Sequence, residues 1–326
     1  MALLDVKNLR MYYGLLGDRY VQAVDNVSLE LHAGETLGIV GESGCGKSSM
    51  ATTLLRLLPS NAKILGGKVL LHDEDILALP EAKLRQDVRW KKISIVFQGA
   101  MNSFNPVIKV GDQLAETLLA HDGKATRKEA MDRAKELLDL VGIDESKADH
   151  YPHEFSGGMK QRAMIAMALS LNPEIVIADE PTTALDVIVQ AQVLKLLKDL
   201  KEERGMSLIL ISHDISIIAE MSDDVAVMYA GHIVEYGESK SVFLDARHPY
   251  TRGLLEAVPS VKARKEKLES IPGAPPNLIG MPDACRFSDR CKYAIERCRQ
   301  ADPPLEDVGD GRVVACIRSK ELWGAN

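Results

Sequence analysis

The chain has 326 residues, of which 46% are hydrophobic and 27% charged, and its formal net charge is −7. That balance fits a water-soluble globular protein with one large domain and a small one. It excludes a global basic field for nucleic acid, and no apolar run approaches the ~18 residues of a membrane-spanning helix.

The N-terminus, Met-Ala-Leu-Leu-Asp-Val-Lys-Asn, lacks a charged-then-apolar export pattern, so a cytoplasmic protein is expected. Residues 3–10 and 24–31 alternate apolar and polar side chains, as half-buried strands do. Residues 36–40 read as a short buried strand. It runs into Gly41-Glu42-Ser43-Gly44-Cys45-Gly46-Lys47-Ser48-Ser49, and residues 50–58 read as a helix. Gly66-Gly67 precedes a strand at 68–71, and a β-branched run at 93–97 ends at Gln98. Residues 124–141 have helical spacing with many charges and read as a solvated helix. A buried strand at 174–178 ends at Asp179-Glu180, a helix follows at 187–201, and a buried strand at 207–212 ends at His213. From Asp224 to Gly237 the pattern is a hairpin. Six prolines between 249 and 282, with a basic run at 262–267, then mark the end of the main domain.

The loop from Gly41 to Ser49 has phosphate-loop spacing. Glycines let successive backbone N–H groups turn toward one anion. The helix behind adds a partial positive charge. Lys47 would reach the β- and γ-phosphates, and the Ser48 hydroxyl would ligate Mg²⁺. Strands alternating with helices imply a largely parallel sheet, in which ligands bind outside the carboxyl ends of the strands. The loop, Gln98, Asp179-Glu180 and His213 all stand at such ends and are expected to meet. Asp179 would hold Mg²⁺, Glu180 would accept a proton from the attacking water, and Gln98 would orient that water or reach the metal. His213 would donate to the γ-phosphate. Taken singly, a strand-end Gln or His is usually a solvated loop residue, and an Asp-Glu pair is often a helix N-cap.

Phe155-Ser156-Gly157-Gly158-Met159 opens another helix and offers a second anion site, with a plain serine N-cap as the alternative. At this point the sequence resembles the ATP-binding subunits of ABC transporters along its whole length. Residues 41–48 look like their Walker A, 175–180 like Walker B, 155–159 like the signature motif and Ala184-Leu185-Asp186 like the D-loop; Gln98 and His213 look like the Q- and H-loop residues. The usual signature is Leu-Ser-Gly-Gly-Gln, from which Phe155 and Met159 depart. The resemblance implies an α/β fold. A P-loop ABC ATPase domain spans 1–240, with a mixed, largely parallel sheet, an antiparallel β-subdomain and a helical subdomain at about 100–170. A small cysteine-containing extension covers 241–326. It also implies a head-to-tail dimer, with ATP held between Walker A of one subunit and Ser156, Gly157 and Gly158 of the other. An aromatic of the first strand stacks on adenine in this family; Tyr13 matches best, with Tyr20 the alternative.

Residues 98–106, 153–159, 248–255 and 271–276 look like the dipeptide/oligopeptide importer branch, although Gly99-Ala100 departs from its usual acidic residue and proline. That branch implies a second, related ATPase, two permease subunits, an extracellular solute-binding protein and a peripheral place on the cytoplasmic face of the membrane. Some members carry oligosaccharides. Four of the five cysteines fall at Cys285, Cys291, Cys298 and Cys316, and in a reducing compartment such clustering favours metal over disulfide. They resemble a region that holds a [4Fe–4S] cluster in some relatives. The spacing lacks the C-x2-C pairs of most zinc sites, so zinc is the alternative, with unliganded thiols behind it. Cys45 reads as unliganded and the basic run 286–299 as a solvated face. A soluble ABC-type ATPase of DNA repair or translation would need long coiled-coil inserts or a basic face, and neither is visible. A regulatory iron–sulfur protein with vestigial nucleotide binding is at odds with the complete ATPase set.

Overall fold

A computed structural model describes residues 2–99, 103–121, 125–257 and 271–324. Ala100, Pro259 and the basic run 262–267 lie outside them. In chain order the elements are β1 (Leu4–Gly14), β2 (Tyr20–Leu31), β3 (Thr36–Val40), α1 (Lys47–Leu54), β4 (Ala62–Leu71) and β5 (Glu74–Asp75). Next come α2 (Glu81–Lys83), β6 (Ile93–Val96), α3 (Val110–His121), α4 (Arg127–Leu140), α5 (Gly157–Ala168), β7 (Ile175–Asp179), α6 (Val187–Arg204) and β8 (Ser207–Ser212). The remainder is α7 (Ile215–Met221), β9 (Asp224–Tyr229), β10 (His232–Glu238), α8 (Ser239–Leu244), α9 (Pro249–Glu256), β11 (Glu306–Gly309), β12 (Arg312–Val314) and α10 (Ser319–Trp323). The chain forms two compact units, one from residues 1–77 and 211–326, the other from 78–210.

In the first unit β1 pairs antiparallel with both β2 and β4. β3 runs parallel to β9, which forms the expected hairpin with β10. All five residues of β3 are buried, the pattern of a strand covered on both faces. The glycine pair at 66–67 lies inside β4 rather than before it. Gly67 takes φ 92° where the β1–β4 register shifts, and a Cβ there would sit 2.5 Å from the Leu9 Cα. The glycines therefore make a bulge in a long strand, which a period-of-two reading takes for its start. The helix read at 50–58 is Lys47–Leu54: Arg56 turns to φ 51° and Pro59 follows, so the later leucines leave the helix.

The described residues beyond 240 are stitched into this unit. β12 pairs with β10. Glu235, fully buried on β10, accepts hydrogen bonds from the backbone N–H groups of Arg247 and His248 at 2.7 and 2.9 Å. The Arg247 guanidinium reaches the carbonyls of Trp323 and Gly324, and that of Arg312 reaches those of Ser241 and Asp245. Tyr229, Tyr250 and Phe287 pack ring to ring, with centroids 4.5–5.4 Å apart. Each such pair adds about 0.5–1.5 kcal/mol beyond its buried area.

A charged network joins β2 to the same extension. His232 places one ring nitrogen 3.2 Å from Asp25 and the other 3.0 Å from Asp302. Tyr12 and Arg286 also donate to Asp25. Burial alone would raise the Asp25 carboxyl, but the bonds from His232 and Tyr12 and the Arg286 charge hold it well below the usual carboxylate range. Burial and the bond to Asp25 push the Tyr12 phenol up to about 12. Burial lowers the His232 imidazolium, yet the two carboxylates override it and leave its pKa raised.

In the second unit β6 and β7 run parallel. Thr126 and Glu129 form a capping box that starts α4, which buries Ala130, Ala134, Leu137 and Leu138 along one side. The helix read as solvated is thus amphipathic. Its many charges mask a four-residue stripe.

Candidate nucleotide site

The loop after β3 leads directly into α1. Gly46 has φ 108°, and a Cβ there would lie 2.0 Å from the Ala23 carbonyl oxygen; at Gly41 it would lie 2.1 Å from that of Met228. Both positions need glycine on steric grounds. α1 starts at Lys47 with no side-chain cap and no acidic residue in its first turn. Its orphan N–H groups and dipole therefore favour an anion at that end. Lys47 is 5% exposed, and its ammonium donates to the carbonyls of Gly41 and Glu42 at 2.7 and 3.1 Å. Ser43 and Gly44 are exposed, and Ser48 and Ser49 half-buried. Tyr13 reaches the loop: its hydroxyl donates to the Ser49 hydroxyl at 3.0 Å. Tyr20 is exposed at the start of β2. Cys45 is buried, which pushes its thiol up. His213 is exposed directly after β8, and Asp214 beside it caps α7 through Ser216 N–H at 2.8 Å.

In the second unit Asp179 ends β7 at 3% exposure. Glu180 turns to φ 47°, a left-handed conformation that costs a residue with a Cβ on the order of 1–3 kcal/mol. The surroundings hold it there. Gln98 donates to its carboxylate at 2.9 Å, and the Thr183 hydroxyl donates to the same oxygen at 2.9 Å. The structure thus brings Gln98 and Glu180 together. Thr183 escaped the sequence reading, because one threonine in a turn carries no periodic signal. Ser156 is exposed and caps α5, accepting from Met159 N–H at 3.3 Å. Gly157 opens the helix, and a Cβ on Gly158 would meet Val189 of α6 at 2.5 Å. Asp186 is exposed and caps α6 by accepting from Val189 N–H at 2.9 Å.

Cys285, Cys291, Cys298 and Cys316 line one cavity, together with His248 and Phe287. Burial first, and then the neighbouring thiols, push Cys285 up to about 12 and Cys316 up to about 11, and raise Cys291. His248 is no fifth donor to that cavity. One ring nitrogen accepts from Tyr250 N–H at 3.1 Å, the other bonds the Ala315 backbone, and burial lowers its pKa to about 3. Among the described residues no group of three or more His, Cys, Asp or Glu is arranged to hold a metal ion. The run 286–299 is not a solvated face throughout: the Arg286 and Arg290 side chains are only 6% and 7% exposed, because each pairs with a carboxylate inside the fold.

The ABC transporter family matches residues 24–183, and the C-terminal region of oligopeptide/dipeptide transporters matches residues 234–298. The chain belongs to the ABC transporter ATPases, as an ATP-binding subunit. It is 48% identical to the oligopeptide transport ATP-binding protein OppD of Escherichia coli, over 98% of this chain and 94% of that one. Its identity to OppD of Haemophilus influenzae is 45%, over 98% of each. Among solved structures, the ATP-binding cassette MJ0796 bound to ADP and phosphate covers 72% of this chain and 98% of its own, at 30% identity and a TM-score of 0.64. No helix among the described residues is long and apolar enough to cross a membrane.

Proposed function

We propose that this chain is an ATP-hydrolysing subunit that powers import of di- and oligopeptides, or of related oligomeric solutes such as oligosaccharides, through a membrane permease. The likeness to OppD proteins over nearly the whole chain, including the oligopeptide-type C-terminal region, carries this reading. In it, residues 1–240 form the ATPase domain and 241–326 the extension. The amides from Gly41 to Ser49 and the Lys47 ammonium grip the triphosphate. Ser48, Asp179 and Gln98 hold Mg²⁺, Glu180 takes a proton from the attacking water, and His213 contacts the γ-phosphate. Tyr13 stacks on adenine. Ser156, Gly157 and Gly158 face the nucleotide of the partner ATPase, with Asp186 beside them. Partners are a related second ATPase, two permease subunits and an extracellular binding protein, and the chain sits peripherally on the cytoplasmic face of the membrane.

The test is co-expression with permease and partner genes. ATPase activity of the purified membrane complex should rise when peptide-loaded binding protein is added. Activity raised by neither peptide nor oligosaccharide, but by a solute of another kind, would reject the substrate class.

The four cysteines that line one cavity support a resident [4Fe–4S] cluster, or zinc in its place. Burial disfavours bare thiolates there, and a bound cation would offset that cost. When bound, the cluster supplies a cross-link for a segment with few apolar residues. Anaerobically purified protein is expected to be brown, with iron and sulfide in stoichiometric amounts that Cys298→Ala loses. A colourless protein holding zinc would replace iron with zinc, and one without metal would remove the site.

A further inference from the structure

A loop that binds a polyanion carries a carboxylate as its second residue, Glu42. A bare carboxylate there would repel the triphosphate. The extension meets it with Arg290. Its two terminal nitrogens donate to the two Glu42 carboxylate oxygens at 2.6 and 2.9 Å, a bidentate fork. Arg290 is itself fixed: its Nε donates to the Pro272 carbonyl at 2.8 Å, and its guanidinium lies 5.7 Å from the Tyr229 ring centroid. The backbone of residue 42 is held too, since its N–H donates to the hydroxyl of the fully buried Tyr250 at 2.8 Å. Residue 42 is therefore gripped twice from a segment more than 200 positions away in the chain.

We propose that Arg290 is a positioning residue of the nucleotide site. It neutralises Glu42 and fixes the first turn of the phosphate loop, with Tyr250 as its backbone anchor. The proposal rests on the reading of residues 41–49 as the ATP loop. It makes the extension part of the ATP-binding apparatus.

The test uses the full-length chain and four forms: wild type, Arg290→Met, Arg290→Lys and the double variant Arg290→Met/Glu42→Gln. ATP KM, kcat and melting temperature are measured at low and high salt. Arg290→Met is expected to raise KM about tenfold while kcat changes less. The penalty should shrink at high salt, because it is repulsion. Glu42→Gln in the same chain should recover most of the loss, because no charge is left to repel. Arg290→Lys, which keeps the charge but not the fork, should fall between, and it serves as the probe should the methionine variant fail to fold. An unchanged KM in both single variants overturns the proposal. So does a loss in Arg290→Met that Glu42→Gln does not relieve, since that marks general loosening. Wild-type protein that binds no ATP would bring down the loop reading itself, whereas normal wild-type binding with indifferent variants brings down only the role of Arg290.

Discussion

Glu180→Gln is expected to leave ATP bound and to lower turnover by about 10²–10⁴-fold, the usual contribution of a positioned general base. The substitution is well matched to the site. A glutamine carbonyl can still accept from Gln98 and Thr183, which hold the native carboxylate at 2.9 Å each. The side chain then keeps its place on a backbone already turned to φ 47°, and only its basicity goes. Single-turnover hydrolysis and nucleotide retention on a desalting column would read the two effects separately. Near-normal hydrolysis would reject Glu180 as the base.

Lys47→Ala is expected to weaken MgATP binding about 10- to 100-fold, since a charge-assisted contact is worth about 1.5–3 kcal/mol. The ammonium is confined: it is 5% exposed and already satisfies two loop carbonyls. The variant therefore loses a phosphate contact and also a brace inside the loop. Titration with a fluorescent ATP analogue gives the affinity, and a melting curve separates the brace from the contact. Unchanged affinity would count against the loop assignment.

What could be read from the residues followed physical lines. The buried strands β3, β7 and β8 are short apolar runs that finish on polar groups, so their carboxyl ends announce themselves. The loop at 41–49 is legible because Gly41 and Gly46 are forced by clashes near 2 Å, which leave no other residue type at those two positions. Legibility failed where local pattern and tertiary packing disagree. The leucines after Leu54 continue a helical pattern that Arg56 and Pro59 interrupt, and the glycine pair in β4 imitates a turn. It failed altogether for the contacts of Glu42 with Arg290 and of Asp25 with His232. Those partners are separated by 248 and 207 positions, and no periodicity spans such distances. Arg290 was hidden a second way. It sits in a basic run, and charge alone does not reveal which guanidinium turns inward to a carboxylate.

The pairing of β12 with β10, and the reach of Arg247 to the carbonyls at 323 and 324, have a practical corollary. The last eighty-odd residues are not a detachable accessory that can be trimmed to obtain a minimal motor. Cutting after 240 would bare a strand edge and strand the buried Glu235 without its donors. Chimaeras between relatives should therefore exchange the tail together with the hairpin and the loop it grips, or leave all three in place.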